Sequence, residues 1–238
     1  MLDQSGFHSG VPLLQPIGHL QGRTRHPVFE LPGMGQVMWK SCLRGGFLSR
    51  FNRRTFFNYQ RFERELIISD QLERTGVPAA KLIAFSVTRR GLGYHVDQLV
   101  RIEENVISLS DLLLMRGIAP SNAQVEIVGK LVFLFHQMGF LHGDLNMMNI
   151  LVNENQDTSP RALLVDLDPG ATSPGEDRIS NLARLSRSYS KVISEGGCPL
   201  ANGDRFRFIH HATGGNKELR KLAFKRCLDQ LPNSEKRR

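Results

Sequence analysis

Three polar residues, Asp144, Asn149 and Asp166, have types and a spacing that could do chemistry on a charged group. Asp144 follows a His-Gly pair in HGDLNMMN, and Asn149 comes five residues later. Asp166 lies in VDLD, at the end of a second apolar run. Phosphoryl transfer from ATP needs such a set: a carboxylate that accepts the proton of the attacking hydroxyl, and oxygen ligands for Mg²⁺. A lone loop Asp usually only caps a turn, but the three together predict Asp144 as the base and Asn149 and Asp166 as metal ligands.

The same chemistry needs a lysine on a strand and a glutamate on the next helix to hold the phosphates. Lys40 ends the predicted third strand, QVMWK, and Glu65 lies on the predicted helix that follows. Glu63 is the alternative partner, but it lies on a different face of that helix. No GxGxxG loop is present, so we expect Gly22 and Arg23, in LQGRTRH, to cover the phosphates.

The elements that must position these residues are predicted from periodicity. Short extended runs over 17–40 predict a three-strand meander, and residues 55–75 have apolar residues at helical spacing. Two strands follow, then a helix capped by Ser108 or Ser110, a long helix, two short strands and two further helices. This order predicts an α+β fold with two lobes. An N-terminal lobe would hold an antiparallel sheet and one helix, and a C-terminal lobe would be mostly helical.

Composition limits the partners and the compartment. The 238 residues include 31 basic and 23 acidic ones, a formal charge of +8. A basic chain favours anionic partners, namely nucleic acid, an acidic membrane surface or a phosphorylated substrate, although solubility alone would also explain the charge. Three scattered cysteines without metal spacing predict free thiols in a reducing compartment. The N-terminus lacks the pattern of a secretory signal and the apolar runs are short, so we expect a cytoplasmic protein.

Several stretches together resemble the lipopolysaccharide kinase family: KSCLRGGFLSRF, FERELIISDQLERTGVP, HGDLNMMNILV, LLVDLDPG and NLARLSRSYSK. The likeness covers about residues 18–192. The RGG after the lysine strand and the NLARL stretch separate this family from general protein kinases. The resemblance implies a protein-kinase-like two-lobed fold, with an ATP-binding lobe over 1–102 and a catalytic and substrate lobe over 103–238.

The resemblance also implies an activity and its site. ATP with Mg²⁺ would phosphorylate a hydroxyl of 3-deoxy-D-manno-octulosonic acid (Kdo) in the lipid-linked acceptor Kdo–lipid A. Lys40 would bind the phosphates with Glu65 as its partner, Asp144 would be the base, and Asn149 and Asp166 would bind the metal.

The acceptor is the less defined part of the resemblance. The chain has SCL where relatives often have a basic-aromatic run, and DLD where they often have DFD. Heptose kinases of the lipopolysaccharide core share the catalytic parts and stay open. Arg44, Arg184 and Asp168 are candidate substrate residues, although Asp168 could equally brace its loop and Arg184 could be a plain solvated side chain.

The basic, aromatic stretch 44–57 could lie against an anionic membrane surface or the acidic sugar core. We therefore expect peripheral contact with the cytoplasmic face of the inner membrane and no nucleic acid partner. Two other functions remain: a RIO-like atypical protein kinase, whose basic charge would serve RNA, and a catalytically inactive kinase-like binding module. The RGG and NLARL stretches have no role in the first, and intact Lys40, Asp144, Asn149 and Asp166 disfavour the second.

Overall fold

The structure, a computed structural model, describes residues 6–7, 14–21, 25–43, 54–155, 158–167 and 177–231. The chain divides into two compact units. The first unit is Met1–Gln71 with Ala80–Glu103, and the second is Leu72–Ala79 with Glu104–Arg238. Among the described residues, no helix combines the length and the apolar character needed to cross a bilayer.

A five-stranded antiparallel sheet forms the first unit. Its strands are β1 (Gly18–Gln21), β2 (Arg25–Leu31), β3 (Gly35–Ser41), β4 (Leu82–Arg90) and β5 (Gly93–Arg101). They lie in the order β1-β2-β3-β5-β4, so the predicted meander is confirmed as the first three strands. Alternation in β3 explains its two faces: Val37 and Trp39 are buried on one side, while Met38 and Lys40 are half-buried on the other.

The helix of the first unit, α1 (Gln60–Thr75), begins five residues later than the predicted 55–75. Before it, Phe56 exchanges two backbone hydrogen bonds of 2.8 Å with Tyr94 of β5, which holds this segment extended. Asn58 Oδ1 then accepts from the N–H of Gln60 at 2.7 Å and starts the helix. The buried residues of α1, at helical spacing, are Phe62, Glu65, Ser69 and Leu72.

An apolar cluster covers the sheet face that carries Trp39. Its buried members are Phe7, Phe29, Leu31, Val37, Trp39 and Leu99. The ring of Phe7 meets Trp39 edge-on, with the two ring centroids 5.1 Å apart. The N-terminal lead-in, which has no periodicity, therefore contributes a core residue to the first unit.

A three-stranded antiparallel sheet lies in the second unit, formed by β6 (Val106–Ser108), β7 (Ile150–Asn153) and β8 (Ala162–Leu164). The strand β6 was not predicted, and β8 ends before the acids of VDLD. The short helix α2 (Leu109–Leu114) follows β6 directly, and the side chain of Ser108 caps it by accepting from the N–H of Asp111 at 3.0 Å. Ser108 is thus the cap rather than Ser110.

Four further helices complete the described part of the second unit: α3 (Asn122–Gln137), α4 (Arg178–Ser194), α5 (Asn202–Ala212) and α6 (Lys217–Leu228). Helix α5 was not predicted, because Ala201 at its start makes no side-chain cap and gives no local signal. Gly129 allows α3 and α5 to pack closely. A Cβ atom at Gly129 would lie 2.8 Å from both the Cβ of His211 and the carbonyl oxygen of Phe208.

Candidate active site

Lys40 and Glu65 lie on the same face of the first unit's sheet. Lys40 stands directly opposite Gln98 in the β3–β5 ladder, so their side chains point to the same face. Gln98 Nε2 donates to Glu65 Oε2 at 2.7 Å, and both residues are buried. The Glu65 carboxylate is therefore held beside the strand position that faces Lys40. Glu63, the alternative partner, is exposed on α1.

The thiol of Cys42 lies near both charges, in the residue that directly follows β3 and comes two positions after Lys40. Burial raises the pKa of the Cys42 thiol to about 12. The positive charge of Lys40 acts to lower this pKa, and the negative charge of Glu65 acts to raise it. Lys40 and Glu65 therefore both lie near this buried thiol.

In the second unit, the main chain of Asp144 is held from both sides while its side chain is exposed. The N–H of Asp144 donates to His142 Nδ1 at 3.2 Å. Its carbonyl oxygen accepts from Asn146 Nδ2 at 3.0 Å and from Asn149 Nδ2 at 2.9 Å. A carboxylate on a fixed backbone, open to solvent, has the geometry that a proton acceptor for an incoming hydroxyl needs.

Asn149 links this loop to the segment that carries Asp166. Its carbonyl oxygen accepts from the N–H of Val165 at 3.0 Å, directly beyond the β7–β8 ladder. Because Nδ2 of Asn149 donates to the carbonyl of Asp144, the amide oxygen Oδ1 is the end suited to bind a cation. Asn149 itself is 8% exposed, so its amide is fixed by its surroundings.

Asp166 has an unusual backbone conformation. Its φ is +57°, in the left-handed region that residues other than glycine rarely adopt. Such a conformation costs about 1–3 kcal/mol and persists where neighbouring structure enforces it, which is common at functional sites. It follows β8 by two residues and turns the chain there, with its side chain exposed.

His142 joins the Asp144 loop to the Asp166 segment. Because a backbone N–H can only donate, His142 Nδ1 is the acceptor for Asp144 and the ring proton is on Nε2. Nε2 then donates to the carbonyl oxygen of Val165 at 3.0 Å. His142 thus braces this part of the second unit, since one imidazole contacts the chain at or next to both acids.

Asn181 of α4 is a residue that motif reasoning did not assign. Its side chain hydrogen-bonds the main chain of His142, with Nδ2 donating to the carbonyl oxygen at 2.8 Å. The NLARL stretch contains it, but there it served only as a family marker. A signal was present: Asn181 shares the buried face of α4 with Leu182, Leu185 and Tyr189, and a buried amide needs partners.

An ion pair between a partly exposed arginine and a buried acid in the first unit was also missed. Arg54 Nη2 lies 3.1 and 3.2 Å from the two carboxylate oxygens of Asp97, and Ser41 Oγ donates to Asp97 Oδ1 at 2.6 Å. Asp97 is 1% exposed in the middle of β5. It stands opposite Ser41, next to Lys40 in β3, on the other face of the sheet. The sequence did contain a signal for this pair: an acidic residue among apolar residues of a strand is buried, and a buried charge needs a partner.

The remaining predicted residues divide into two groups. Gly22, Arg23, Arg44 and Asp168 lie outside the described residues. Arg184 is half-buried on α4, and its neighbour Arg187 is exposed, with Nε donating to Gln230 Oε1 at 3.2 Å.

The donor set of Asn149 and Asp166 fits a hard cation. Both supply oxygen, and Mg²⁺ is usually held by one or two protein ligands together with substrate phosphates. No group of three or more His, Cys, Asp or Glu side chains that could hold a metal occurs within the described ranges.

Sequence comparisons identify the family. A family model described as the lipopolysaccharide kinase (Kdo/WaaP) family matches residues 14–209. The chain is 32% identical over 167 residues to a 3-deoxy-D-manno-octulosonic acid kinase of Actinobacillus succinogenes, a match that covers 68% of each chain. It is 30% identical over 189 residues to a kinase of the same name from Xylella fastidiosa, covering 73% of each chain.

A solved structure, described as WaaP in complex with acyl carrier protein, resembles the chain with a TM-score of 0.56. The match covers 92% of this chain and 90% of the other, at 17% identity. At that identity the likeness concerns the fold alone, and it confirms the predicted α+β, kinase-like fold class. The chain is a phosphotransferase that belongs to the lipopolysaccharide kinase (Kdo/WaaP) family.

Proposed function

We propose that the chain transfers the γ-phosphoryl group of ATP to a hydroxyl of Kdo in the inner core of lipopolysaccharide, with Kdo–lipid A as the lipid-linked acceptor. The observation that carries the proposal is the exposed carboxylate of Asp144 on a main chain fixed at both ends. The relatives named as Kdo kinases support this sugar as the acceptor.

Asp144 acts as the base in this proposal. Its carboxylate accepts the proton of the sugar hydroxyl while the hydroxyl oxygen forms a bond to the γ-phosphorus. The bond from that phosphorus to the bridging oxygen breaks, and ADP leaves with the electron pair. The hydrogen bonds to the N–H and carbonyl oxygen of Asp144 fix the main chain from which the carboxylate extends.

Asn149 and Asp166 would hold Mg²⁺ in the proposed complex. When bound, Mg²⁺ would neutralise negative charge on the phosphates of ATP. Asn149 offers Oδ1 as a ligand because its Nδ2 donates to the carbonyl oxygen of Asp144. The left-handed backbone conformation of Asp166 turns the chain after the end of β8. In the N-terminal lobe, taken as residues 1–102, Lys40 binds the phosphates and Glu65 orients it, with Gly22 and Arg23 covering the phosphates.

The acceptor is anionic and lipid-linked, and the charge of the chain suits it. A formal charge of +8 favours the carboxylate of Kdo and an anionic membrane surface. Arg44, Arg184 and Asp168 are the proposed substrate contacts. Since ATP is supplied in the cytoplasm, the protein would act peripherally at the cytoplasmic face of the inner membrane.

An acceptor comparison tests the proposal. Purified protein with Mg·ATP is incubated separately with Kdo–lipid A, with a heptosylated core and with casein, and products are read by mass spectrometry. We expect one added phosphate on Kdo–lipid A, lost with Asp144→Asn and retained with Asp229→Asn, which changes an exposed Asp after α6. Phosphate only on the heptosylated core would make the chain a heptose kinase, and phosphate only on casein would favour a protein kinase.

A further inference from the structure

Asn181 is wholly buried in the second unit, with 0% of its surface exposed. Both the nitrogen and the oxygen of its side-chain amide contact the same residue of the Asp144 loop. Nδ2 donates to the carbonyl oxygen of His142 at 2.8 Å, and Oδ1 lies 3.4 Å from the N–H of the same residue. A single side chain on α4 therefore contacts the main chain of His142 on both of its polar groups.

The orientation of this amide is fixed from α3. His136 Nε2 lies 3.0 Å from Asn181 Oδ1, and because an amide oxygen only accepts, Nε2 carries the proton and donates. His136 is 1% exposed, so the contact is shielded from water. Burial lowers the pKa of His136, which keeps the imidazole neutral and a stable donor at neutral pH. Asn181 is thus held with its oxygen toward α3 and its nitrogen toward the loop.

His142 in turn forms hydrogen bonds with the main chain at Asp144 and at the residue before Asp166. Its Nδ1 accepts from the N–H of Asp144 at 3.2 Å, and its Nε2 donates to the carbonyl of Val165, the residue before Asp166, at 3.0 Å. A continuous series of hydrogen bonds therefore runs from α3 through Asn181 and His142 to the base and to the metal-binding segment. Each bond in the series lies within the second unit.

We propose that Asn181 is a positioning residue for phosphoryl transfer. By fixing the main chain of His142, it sets the imidazole that holds Asp144 and the Asp166 segment at a constant separation. This inference rests on the proposed function for the roles of those two acids. It adds a residue that never contacts ATP or the sugar, yet controls where the proton acceptor and the metal ligand lie.

Only an uncharged amide meets the demands of the position. The carbonyl oxygen of His142 needs a donor, while the N–H of His142 and Nε2–H of His136 need an acceptor. An ionised aspartate of the same shape would supply the acceptor alone, and it would place a carboxylate oxygen against the carbonyl of His142. The loss would fall on the loop rather than on the packing of α4, because size and shape are unchanged.

Asn181→Asp is the direct test, and Asn153→Asp is its matched control. Asn153 is also a buried amide of the second unit, 7% exposed, at the end of β7. Its Oδ1 accepts from the N–H of Arg161 at 2.9 Å and its Nδ2 donates to Thr158 Oγ1 at 3.0 Å, in the turn that joins β7 to β8. The same atom exchange at Asn153 thus perturbs a neighbouring loop without touching His142.

Two measurements are made on both variants and the unchanged protein. In turnover with Mg·ATP, we expect Asn181→Asp to lower kcat at least 10-fold with little change in the Kd for ADP. The kcat of Asn153→Asp should stay within about 2-fold of that of the unchanged protein, even if its Tm falls as much as that of Asn181→Asp.

In hydrogen exchange, we expect Asn181→Asp to accelerate exchange at residues 142–149 and 165–167, and Asn153→Asp to accelerate it only at the turn that joins β7 to β8. If Asn181→Asp does not fold, Asn181→Ser is read in the same two ways.

An unchanged exchange rate at 142–149, or equal losses of kcat in the two variants at matched Tm, would overturn the positioning role. The exchange measurement needs no acceptor, so it separates this inference from the proposed function. If the protein transfers nothing to Kdo–lipid A while Asn181→Asp still accelerates exchange at residues 142–149, the acceptor is wrong and the positioning role stands.

Discussion

His142 Nε2 donates to the carbonyl oxygen of Val165 at 3.0 Å, although 23 residues separate them in the chain. The other nitrogen of the same ring accepts from the N–H of Asp144. One neutral imidazole thus spans the loop with the proposed base and the strand end with the proposed metal ligand. This ring and the backbone hydrogen bond from the N–H of Val165 to the carbonyl oxygen of Asn149 together hold the two acid-bearing segments beside each other.

Replacing Gln98 should weaken ATP binding more than it weakens the fold. Gln98→Leu removes the donor that holds Glu65 Oε2 at 2.7 Å and leaves a buried carboxylate without that partner. We expect the KM for ATP to rise about 10-fold, which corresponds to about 1.4 kcal/mol. Steady-state kinetics measure this, with Gln137→Leu on the exposed face of α3 as control. An unchanged KM would show that Glu65 does not depend on Gln98 for its position.

The Arg54–Asp97 pair should show coupling in a double-mutant cycle. Arg54→Met leaves the buried carboxylate of Asp97 with Ser41 and without its cation. Because the Arg54 side chain is 42% exposed, water softens the loss, and we expect a destabilisation of about 1–2 kcal/mol. In the Asp97→Asn background the same change should cost clearly less, since no buried charge remains. Urea unfolding of the four proteins measures this, and simple additivity would show that the pair is not coupled.

Stability should fall in mild acid, and His136 should account for part of the fall. Burial lowers the pKa of His136 below its ordinary value of 6.5, and the charge of Arg178 lowers it further. As pH falls through 6.5, this histidine becomes protonated in the unfolded chain but stays neutral in the native protein. The free energy of unfolding therefore decreases as pH falls below 6.5. Nδ1 of His136 is buried and has no hydrogen-bond partner in the described part of the chain, which makes its protonation costly.

His136→Gln removes the titrating group and should flatten the dependence of Tm on pH between about 7 and 5. The pKa values of His26, His95 and His211 are lowered by burial as well, so the variant should flatten the slope without abolishing it. Calorimetry at several pH values gives the comparison. Parallel Tm curves for the two proteins would contradict the assignment of a buried neutral His136.

The three thiols should differ in reactivity toward a disulfide reagent at pH 8. Burial raises the pKa values of Cys42 and Cys227 to about 12 each, so almost no thiolate is present and access is blocked. Cys198 is only half-buried. We expect one fast-reacting thiol in the native protein and three in urea, counted by absorbance. Rapid loss of two or more native thiols would contradict the described burial.

Local patterns were enough to predict the residues that lie on regular elements or within a short motif. Lys40 was predicted as a site residue because it ends the predicted third strand, and Asp144 and Asn149 because of their spacing in one loop. The pairings that fix those residues join distant positions: Asn181 is 39 residues from His142, and Arg54 is 43 residues from Asp97. Local periodicity cannot reveal such long-range pairs, because each partner fits the burial pattern of the helix, strand or loop in which it lies.

At the start of α1, the local pattern predicted more helix than the structure contains. Residues 55–59 continue the helical spacing of apolar side chains, yet Phe56 pairs with Tyr94 in the sheet. Ring packing between Phe56 and Phe62, with centroids 5.0 Å apart, uses the same apolar residues in another conformation. Tertiary pairing thus overrode helix periodicity, and helix α5 was missed because its first residue offers no cap.

The most direct test follows the phosphate itself. Protein is incubated with Kdo–lipid A and ATP labelled at the γ-phosphate, and mild acid then cleaves the acid-labile bond between Kdo and lipid A. The account predicts that the label leaves with Kdo, depends on Mg²⁺, and falls at least 100-fold with Asp144→Asn while ADP still binds. Label that stays on lipid A, or an Asp144→Asn variant with undiminished transfer, would contradict it.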